Sequence, residues 1–370
     1  MIGIRIGNKV SRRPVIQGGM GVGVSLHRLA GAVAREGGVG VISTADIGFQ
    51  EPDFDTHPAE ADLRAIPKEI AAARAIAGED GILGVNVMVV DRHYEETVRA
   101  CVEAGVDLII SGAGMPMKLP GLVAGSQTAI APVVSSARAF QLILKTWLSR
   151  YRRAPDLVIV EGPEAGGHLG FSYEVLSGGS VSLEGILSEV VSAARVAETE
   201  HGVSIPVVAA GGIYTGEDVA RCLAMGAAGI QAATRFVATE ECDASPAFKD
   251  AYVRARAEDI QLIKSPVGLP GRALRNPFIR RVEVRREPIV RCTRCLKTCH
   301  IADADYCITQ ALINTVRGDV DNGLIFCGSS AARIDRISTV REVLEELCGG
   351  RVRHYPKKED ILKIHSSGHA

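Results

Sequence analysis

The chain is poor in aromatic residues, 4% of 370 with a single Trp, and it carries no surplus of either charge, with 42 Lys and Arg against 43 Asp and Glu. Without stacking surfaces or a basic excess, no nucleic-acid partner is expected, and no long-range field would gather the protein onto an anionic membrane. No apolar run approaches the roughly 18 residues of a membrane span. Met1 to Val10 lacks the apolar stretch of a secretory signal, so a cytoplasmic location is expected. A disulfide framework is also missing: nine cysteines is an odd number, and only three precede residue 290. What is present is 46% apolar residues and 23% charged. That is enough to bury a substantial core and unlike a disordered or collagen-like chain.

From Pro14 to about Val253, short β-rich apolar runs alternate with longer segments of helical period, the pattern of βαβ units. The runs read as strands are Pro14 to Gln17, Val39 to Ser43, Ile82 to Met88, Asp107 to Ser111, Ile130 to Val134, Leu157 to Glu161, Pro206 to Ala210 and Gly229 to Ala232. Each precedes a plausible helix. One runs from Ser25 to Glu36, with Ser25 as N-cap and Gly37 as its stop; another starts at Thr215, with Glu217 and Asp218 at the positive end of the helix dipole. An α/β fold with eight such units in about 240 residues predicts a closed (β/α)8 TIM barrel. A doubly wound open sheet would instead concentrate its glycine-rich turn after the first strand.

The barrel is assigned to residues 1–260, and a small C-terminal cysteine-rich extension to 261–350. The extension opens in an Arg- and Pro-rich stretch that includes the loop Lys264 to Gly271. It closes in a helix from about Thr339 to Leu347, with Thr339 and Glu342 spaced as a capping box and Gly349 as the stop. Residues 351–370 are a basic, polar tail with little to bury, and poor order is expected there.

Function in such a barrel gathers at the carboxyl ends of the strands. Unusual residues collect at those ends: Gln17-Gly18-Gly19-Met20-Gly21, Asn86, Ser111-Gly112-Ala113-Gly114, Glu161 through His168, Ala210-Gly211-Gly212-Ile213 and Ala233-Thr234-Arg235. Gly211, Gly212 and Thr234 can present backbone N–H groups, unobstructed by Cβ atoms, to a phosphate; a tight turn without a ligand is the plain alternative. His168 follows two glycines, and an imidazole near its ordinary pKa of about 6.5 can exchange a proton at neutral pH. The other histidines, His27, His57 and His93 among them, read as surface or helix residues. Glu161 and Glu164 read as hydrogen-bond acceptors rather than an acid–base pair. Arg235 is a candidate for meeting an anion, Lys118 reads as a solvated surface residue, and Met20, Met115, Met117 and Phe171 are expected to close the cavity.

Taken together, Gln17-Gly18-Gly19-Met20, Gly84-Val85-Asn86, Glu161 through Gly170, Ala209 through Ile213 and Gln231-Ala232-Ala233-Thr234-Arg235-Phe236 resemble the motifs of the nitronate monooxygenase (2-nitropropane dioxygenase) family. The FMN-dependent enoyl-acyl-carrier-protein reductases share that barrel. The resemblance covers about residues 10 to 260. It implies FMN, with its phosphate on Gly211, Gly212, Gln231 and Thr234, and with Gln17, Gly18, Gly19, Met20, Asn86 and Glu161 along the ring and ribityl chain. It also implies that Ala165, Gly166 and Gly167 approach the flavin and that His168 is the catalytic proton-transfer residue. Barrels of the inosine monophosphate dehydrogenase type share the Gly-Gly-Ile loop but need a nucleophilic Cys after the sixth strand, and that loop has none.

The spacing Cys292-x2-Cys295-x3-Cys299-x7-Cys307 places four soft ligands in one short segment, suited to a 4Fe-4S cluster or to zinc. It resembles the cluster segment of certain flavin barrel reductases related to old yellow enzyme, with a shorter final gap that leaves the fourth ligand open between Cys307 and Cys327 as a substitute candidate. The expected activities are oxidation of an alkyl nitronate to a carbonyl compound and nitrite, or reduction of an activated C=C bond such as an enoyl thioester. A non-catalytic electron-transfer subunit is the reading from another class. The expected partners are a small-molecule substrate, a nicotinamide or ferredoxin-type electron donor, and a second copy in a homodimer.

Overall fold

Residues 2–349 are described by the computed structural model; the expected tail 351–370 lies outside them. All eight runs form strands: β1 (Val15–Gln17), β2 (Val39–Ser43), β3 (Ile82–Met88), β4 (Leu108–Gly112), β5 (Ala129–Val134), β6 (Val158–Glu161), β7 (Val207–Ala210) and β8 (Gly229–Ala232). They pair in chain order, all parallel, and β8 closes on β1 through Ile230 opposite Val15 and Gln231 opposite Ile16. The TIM barrel expected from the alternation is the observed fold.

Strand period sorts the apolar residues into two cores. Ile16, Val39, Val41, Ile82, Leu108 and Ile159 fill the barrel interior, where Ile4 and Ile6 from the hairpin Arg5–Ile6 and Lys9–Val10 join them. Val15, Ile42, Leu83 and Val85 point outward, into the layer beneath the helices. That layer tolerates no extra atom at Gly40, whose Cβ would lie 1.8 Å from the carbonyl oxygen of Ala30 on the helix His27–Arg35. Gly40→Ala is expected to cost about 2–4 kcal/mol of stability, read from the midpoint of a urea melt.

The first helix departs from expectation. It begins at His27 after Leu26, and the Ser25 hydroxyl instead accepts from the Met20 amide at 2.7 Å. The helix N-terminus is satisfied from across the chain by Asp243, whose carboxylate accepts from Leu26, Arg28 and Leu29 N–H groups at 2.8, 3.2 and 3.1 Å. An ionised acceptor does what a serine would have done, with the dipole in its favour. The other local readings hold: a helix follows Thr215 with Glu217 and Asp218 in its first turn, where Thr215 and Asp218 also form a capping box, Thr339 and Glu342 form the expected one, and Gly37 and Gly349 adopt φ of +91° and +107°.

After the barrel, β9 (Ile260–Lys264) and β10 (Pro270–Leu274) form an antiparallel hairpin. β10 also pairs with a two-residue strand, Gly167–His168, from the loop following β6, with Gly271 opposite His168 and Arg272 opposite Gly167. Ile263, Ala273, Phe278, Leu296, Tyr306 and Leu324 make a cluster of their own, while Leu274, Ile325, Ala331 and Leu344 join the outer core of the barrel. The last helix, Val340–Leu347, is tied down by Glu346, which accepts a short bond from Arg235. Both side chains are buried, and the guanidinium groups of Arg235 and Arg333 both pack against the Tyr214 ring, at 4.4 and 4.1 Å from its centroid.

Candidate active site

A cavity of about 410 Å³ opens at the carboxyl ends of the strands, within the range of small-molecule sites. Its lining brings together Gly18, Gly19, Met20, Asn86, Glu161, Ala165, Gly166, Gly167, His168, Gly211, Gly212, Gln231 and Thr234. Gln17 is the exception. It is fully buried, and its side chain is spent on backbone, donating to the carbonyls of Gly18 and Val41 and accepting from Val41 N–H. It therefore stitches β1 to β2 and shapes the turn behind Gly18 without reaching the cleft.

One end of the cleft is a cradle lined by glycines. Gly211 and Gly212 both have positive φ, +98° and +78°, as the chain turns off β7. A Cβ on Gly212 would stand 2.4 Å from Glu164 Oε2, and one on Gly166 would stand 2.5 Å from the Cys327 carbonyl carbon. Gln231 Oε1 is buried among these residues with no hydrogen-bond partner among the described residues, an acceptor that a ligand hydroxyl would satisfy. These features fit the phosphate and ribityl portions of FMN. Arg235 is not part of the cradle, because its guanidinium is committed to Tyr214 O and Glu346. Lys118 is an exposed residue paired with Glu95 at 2.8 Å.

The extension completes the cradle, which the sequence reading did not foresee. Gly328 N–H donates to Thr234 Oγ1 at 3.1 Å, Ser329 N–H donates to Glu164 O at 3.1 Å, and Cys327, Gly328 and Ser330 line the cleft. The available signal was the turn Cys327-Gly328-Ser329-Ser330, which follows an apolar run and opens the 3-10 helix Ser329–Arg333. Cys327 thereby brings a thiol into a cleft whose own loop has none. Burial pushes that thiol up to about 12, so it is not a standing nucleophile.

His168 lines the cleft from a two-residue strand rather than from a free loop. Arg272 from β10 pins the preceding residues by donating to the carbonyls of Pro163 and Ala165. The imidazole Nε2 is 2.8 Å from Ser265 Oγ, and the edge of Phe326 packs against the ring at 4.9 Å between centroids. Phe326 is itself held by a short bond from the Tyr252 hydroxyl to its carbonyl. Burial lowers the His168 pKa to about 4, so the ring is neutral at pH 7. Glu161, at the end of β6, is pushed the other way by burial, to about 7, against the bond it accepts from the Gly170 backbone.

The far end of the cleft carries Asp46, Asp62, Asp91 and His93, none of which was singled out for chemistry. Burial raises Asp46 to about 6 and Asp62 to about 8, and neighbouring carboxylates add to both. Nothing in their spacing could have signalled this, because Asp46 and Asp91 come from two different loops and Asp62 from the helix Pro58–Ala77. His93, read as a surface or helix residue, is the N-cap of the helix Tyr94–Glu103 and also lines the cleft. The cavity is closed by Met20 as expected, but Met115 is half exposed, and Met117 and Phe171 pack on the outer core. Val267, Leu269, Leu296 and Phe326 take the place expected of those three.

A second cavity, of about 480 Å³, is lined by Cys292, Cys295, Cys299 and Cys307 together. Cys327 does not line it, so the substitute-ligand reading is corrected. Among the described residues no three His, Cys, Asp or Glu side chains stand close enough to share one metal ion. Tetrahedral zinc would need thiolate sulfurs about 3.8 Å apart, given Zn–S bonds near 2.3 Å. Cys295 borders both cavities; its thiol is pushed up to about 12 by burial, and Thr309 Oγ1 lies 3.1 Å from its sulfur and 2.7 Å from Asp46 Oδ2. Among the described residues, no helix is long and apolar enough to cross a membrane.

Comparison with known proteins agrees with this geometry. Residues 6–350 match the family model described as nitronate monooxygenase. The chain is 25% identical over 84% of its length, and 84% of the relative's, to a probable nitronate monooxygenase of Staphylococcus saprophyticus. It is 26% identical to the (3aS,4S,5R,7aS)-5-hydroxy-7a-methyl-1-oxo-octahydro-1H-indene-4-carboxyl-CoA dehydrogenase of Mycobacterium tuberculosis; that match spans 73% of this chain but 65% of the relative. Among solved structures, FabK from Thermotoga maritima superposes with a TM-score of 0.69 at 28% identity, covering 96% of both chains. Nitroalkane oxidase from Streptomyces ansochromogenes shares the fold, with a TM-score of 0.68 at 22% identity over 96% of this chain and 98% of its own.

Proposed function

Because the chain belongs to the nitronate monooxygenase family, we propose that it is an FMN-dependent oxidoreductase that converts alkyl nitronates, with oxygen, to a carbonyl compound and nitrite. The observation that carries the reading is the juxtaposition, in one cleft, of a glycine cradle beside the partnerless Gln231 Oε1 and a buried, neutral His168. Bound FMN would supply the two-electron acceptor that no side chain here provides.

The protein's part is positional and electrostatic. Gly211 and Gly212 N–H groups, Thr234 and the Gly328 to Ser330 turn would hold the phosphate, and Gln231 would take a ribityl hydroxyl. Gly18, Gly19, Met20, Asn86 and the Ala165 to Gly167 segment would flank the ring. Gly19 has no room for a side chain, since its Cβ would stand 2.6 Å from that of Asn86. His168 would hold or move a proton beside the reacting carbon. Its neutral state avoids a fixed cation that would bind substrate and product anions alike.

A second reading is reduction of an activated C=C bond, such as an enoyl thioester, with electrons relayed through a 4Fe-4S cluster on Cys292, Cys295, Cys299 and Cys307. The wall that the cysteine cavity shares with the cleft, through Thr293, Cys295, Leu296 and Ile308, favours it. So does a carboxyl-CoA dehydrogenase among the relatives. A cubane cluster holds its thiolates farther apart than zinc does, in keeping with four sulfurs around a roomy cavity. A nicotinamide or a ferredoxin-type protein would then be the donor.

One anaerobic preparation separates these readings. An alkyl nitronate alone is expected to bleach the flavin absorbance. Bleaching only by NADH or NADPH, reversed by crotonyl thioester, would replace the first reading with the second. In the same sample, about four iron and four sulfide per chain are expected if the cluster is present. One zinc without sulfide would remove it.

A further inference from the structure

We propose that Arg235 is a positioning residue for FMN: from outside the cleft it staples the two turns of the glycine cradle to each other and to the helix Val340–Leu347, so that flavin affinity depends on how that helix is docked. The inference rests on the reading of the cradle as the FMN phosphate site.

The ladder between β7 and β8 ends with Ala210 opposite Gln231. Gly211, Gly212 and Thr234 all lie past that pair, where strand pairing no longer fixes one turn against the other. Arg235 takes over there. It stands one residue beyond Thr234, and its Nη1 donates at 2.7 Å to the carbonyl of Tyr214, two residues beyond Gly212. The guanidinium also lies 4.4 Å from the centre of the Tyr214 ring, and Nη2 donates to Glu346 of the helix Val340–Leu347. Tyr214 is held in turn by Arg333, whose carbonyl accepts from the phenol at 2.7 Å. One guanidinium thus joins the turn after β7, the turn after β8 and a helix of the extension.

None of Arg235, Tyr214 and Glu346 lines the cleft, so none meets the phosphate. The Arg235 and Glu346 side chains are 6% and 8% exposed, and with a carboxylate against it the guanidinium offers a nearby anion little net charge. What the pair supplies is geometry. A phosphate gripped by groups from two turns is held well only while the turns keep their separation, and donors already in place lose no affinity to being ordered. The residue type matters as well. The planar fork of arginine bonds Tyr214 O and Glu346 together, whereas the single nitrogen of lysine keeps the ion pair and leaves Tyr214 O without its donor.

The test is FMN titration of flavin-free protein, followed by flavin fluorescence, beside thermal melts of Arg235→Lys and of the double variant Arg235→Met with Glu346→Leu. The double variant puts an apolar pair in place of the buried ion pair, an exchange that is often neutral or stabilising, and Arg336 keeps Glu342 at 3.5 Å. Both variants are expected to melt near the wild type and to bind FMN about tenfold more weakly, the worth of one hydrogen bond lost from register. A side chain that served stability alone would leave FMN affinity unmoved in a variant that melts normally. Linkage supplies a second measurement on the unaltered chain. If undocking the helix weakens FMN, bound FMN must suppress undocking by the same factor, so the amides of 340–347 are expected to exchange about tenfold more slowly in the loaded protein.

Either folded variant binding FMN within about twofold of the wild type overturns the inference, since the missing bond would then carry too little of the affinity. So does exchange in 340–347 that is indifferent to FMN, and that measurement decides alone if neither variant folds. A folded wild type that takes up no FMN overturns the functional reading instead.

Discussion

Gly212→Val is expected to yield a folded protein that no longer retains FMN. The residue lies just beyond β7 with φ of +78°, a region a β-branched side chain enters only under strain. Its Cβ would meet Glu164 Oε2 at 2.4 Å and Glu164 Cβ at 3.1 Å, and the two valine methyls would project from the point where the Gly211 and Gly212 amides are exposed. Glu164 can swing on its flexible stem, so the fold survives with a modest drop in Tm. The backbone amides remain, but the methyls and the strained φ keep a phosphate from approaching them. Two hydrogen bonds to a charged phosphate are worth about 3 kcal/mol or more together, so FMN affinity should fall by at least about 100-fold. Flavin absorbance after gel filtration, beside far-UV circular dichroism, checks both halves. Full flavin retention by a folded Gly212→Val protein would show that the anion cradle lies elsewhere.

His168→Ala should behave in the opposite way, keeping FMN and losing turnover. The imidazole lines the cleft but none of the cradle geometry depends on it, so flavin content should match the wild type. Removing a positioned proton donor or acceptor lowers kcat/KM by about 10²- to 10³-fold. The pH profile of the wild type carries an independent signature. Because burial holds His168 near 4, the ring stays neutral as pH falls through 6.5, where a free histidine would titrate. The acid limb attributable to this group is therefore expected near pH 4, and its absence in His168→Ala identifies it. An inflection at 6.5 that the substitution abolishes would mean that the ring is far less shielded than its packing against Phe326 and Ser265 implies.

The barrel was legible because its evidence is local. Ile82 to Met88 alternates inward and outward apolar residues within seven positions, and β3 has those bounds. The Gly211-Gly212 turn and the Thr215 capping box are likewise short-range, since a positive φ or a cap is settled by a few neighbouring residues. Ser25 was misread for the complementary reason. A serine before a helix is a sound cap in isolation, but here Met20 claims its hydroxyl and Asp243, more than 200 residues away, supplies the acceptor. Gln17 shows the same limit: its motif placed it at the right strand end, but only packing turned its amide toward Val41 instead of the cleft.

By itself, the sequence determined which segments become strands, that they close in order, and that glycines and one histidine stand at their carboxyl ends, because strand period, helix caps and turn residues act over a few positions. Tertiary structure alone decided what surrounds that histidine. The pairing of His168 with Gly271, the Ser265 hydroxyl at its Nε2, and the Cys327 to Ser330 turn closing the glycine-lined end of the cleft all join residues about 100 or more positions apart. Such contacts form only when the extension folds back over the barrel to bury Leu274, Ile325 and Leu344. No periodicity records that burial, since it depends on which apolar faces meet rather than on where they lie in the chain.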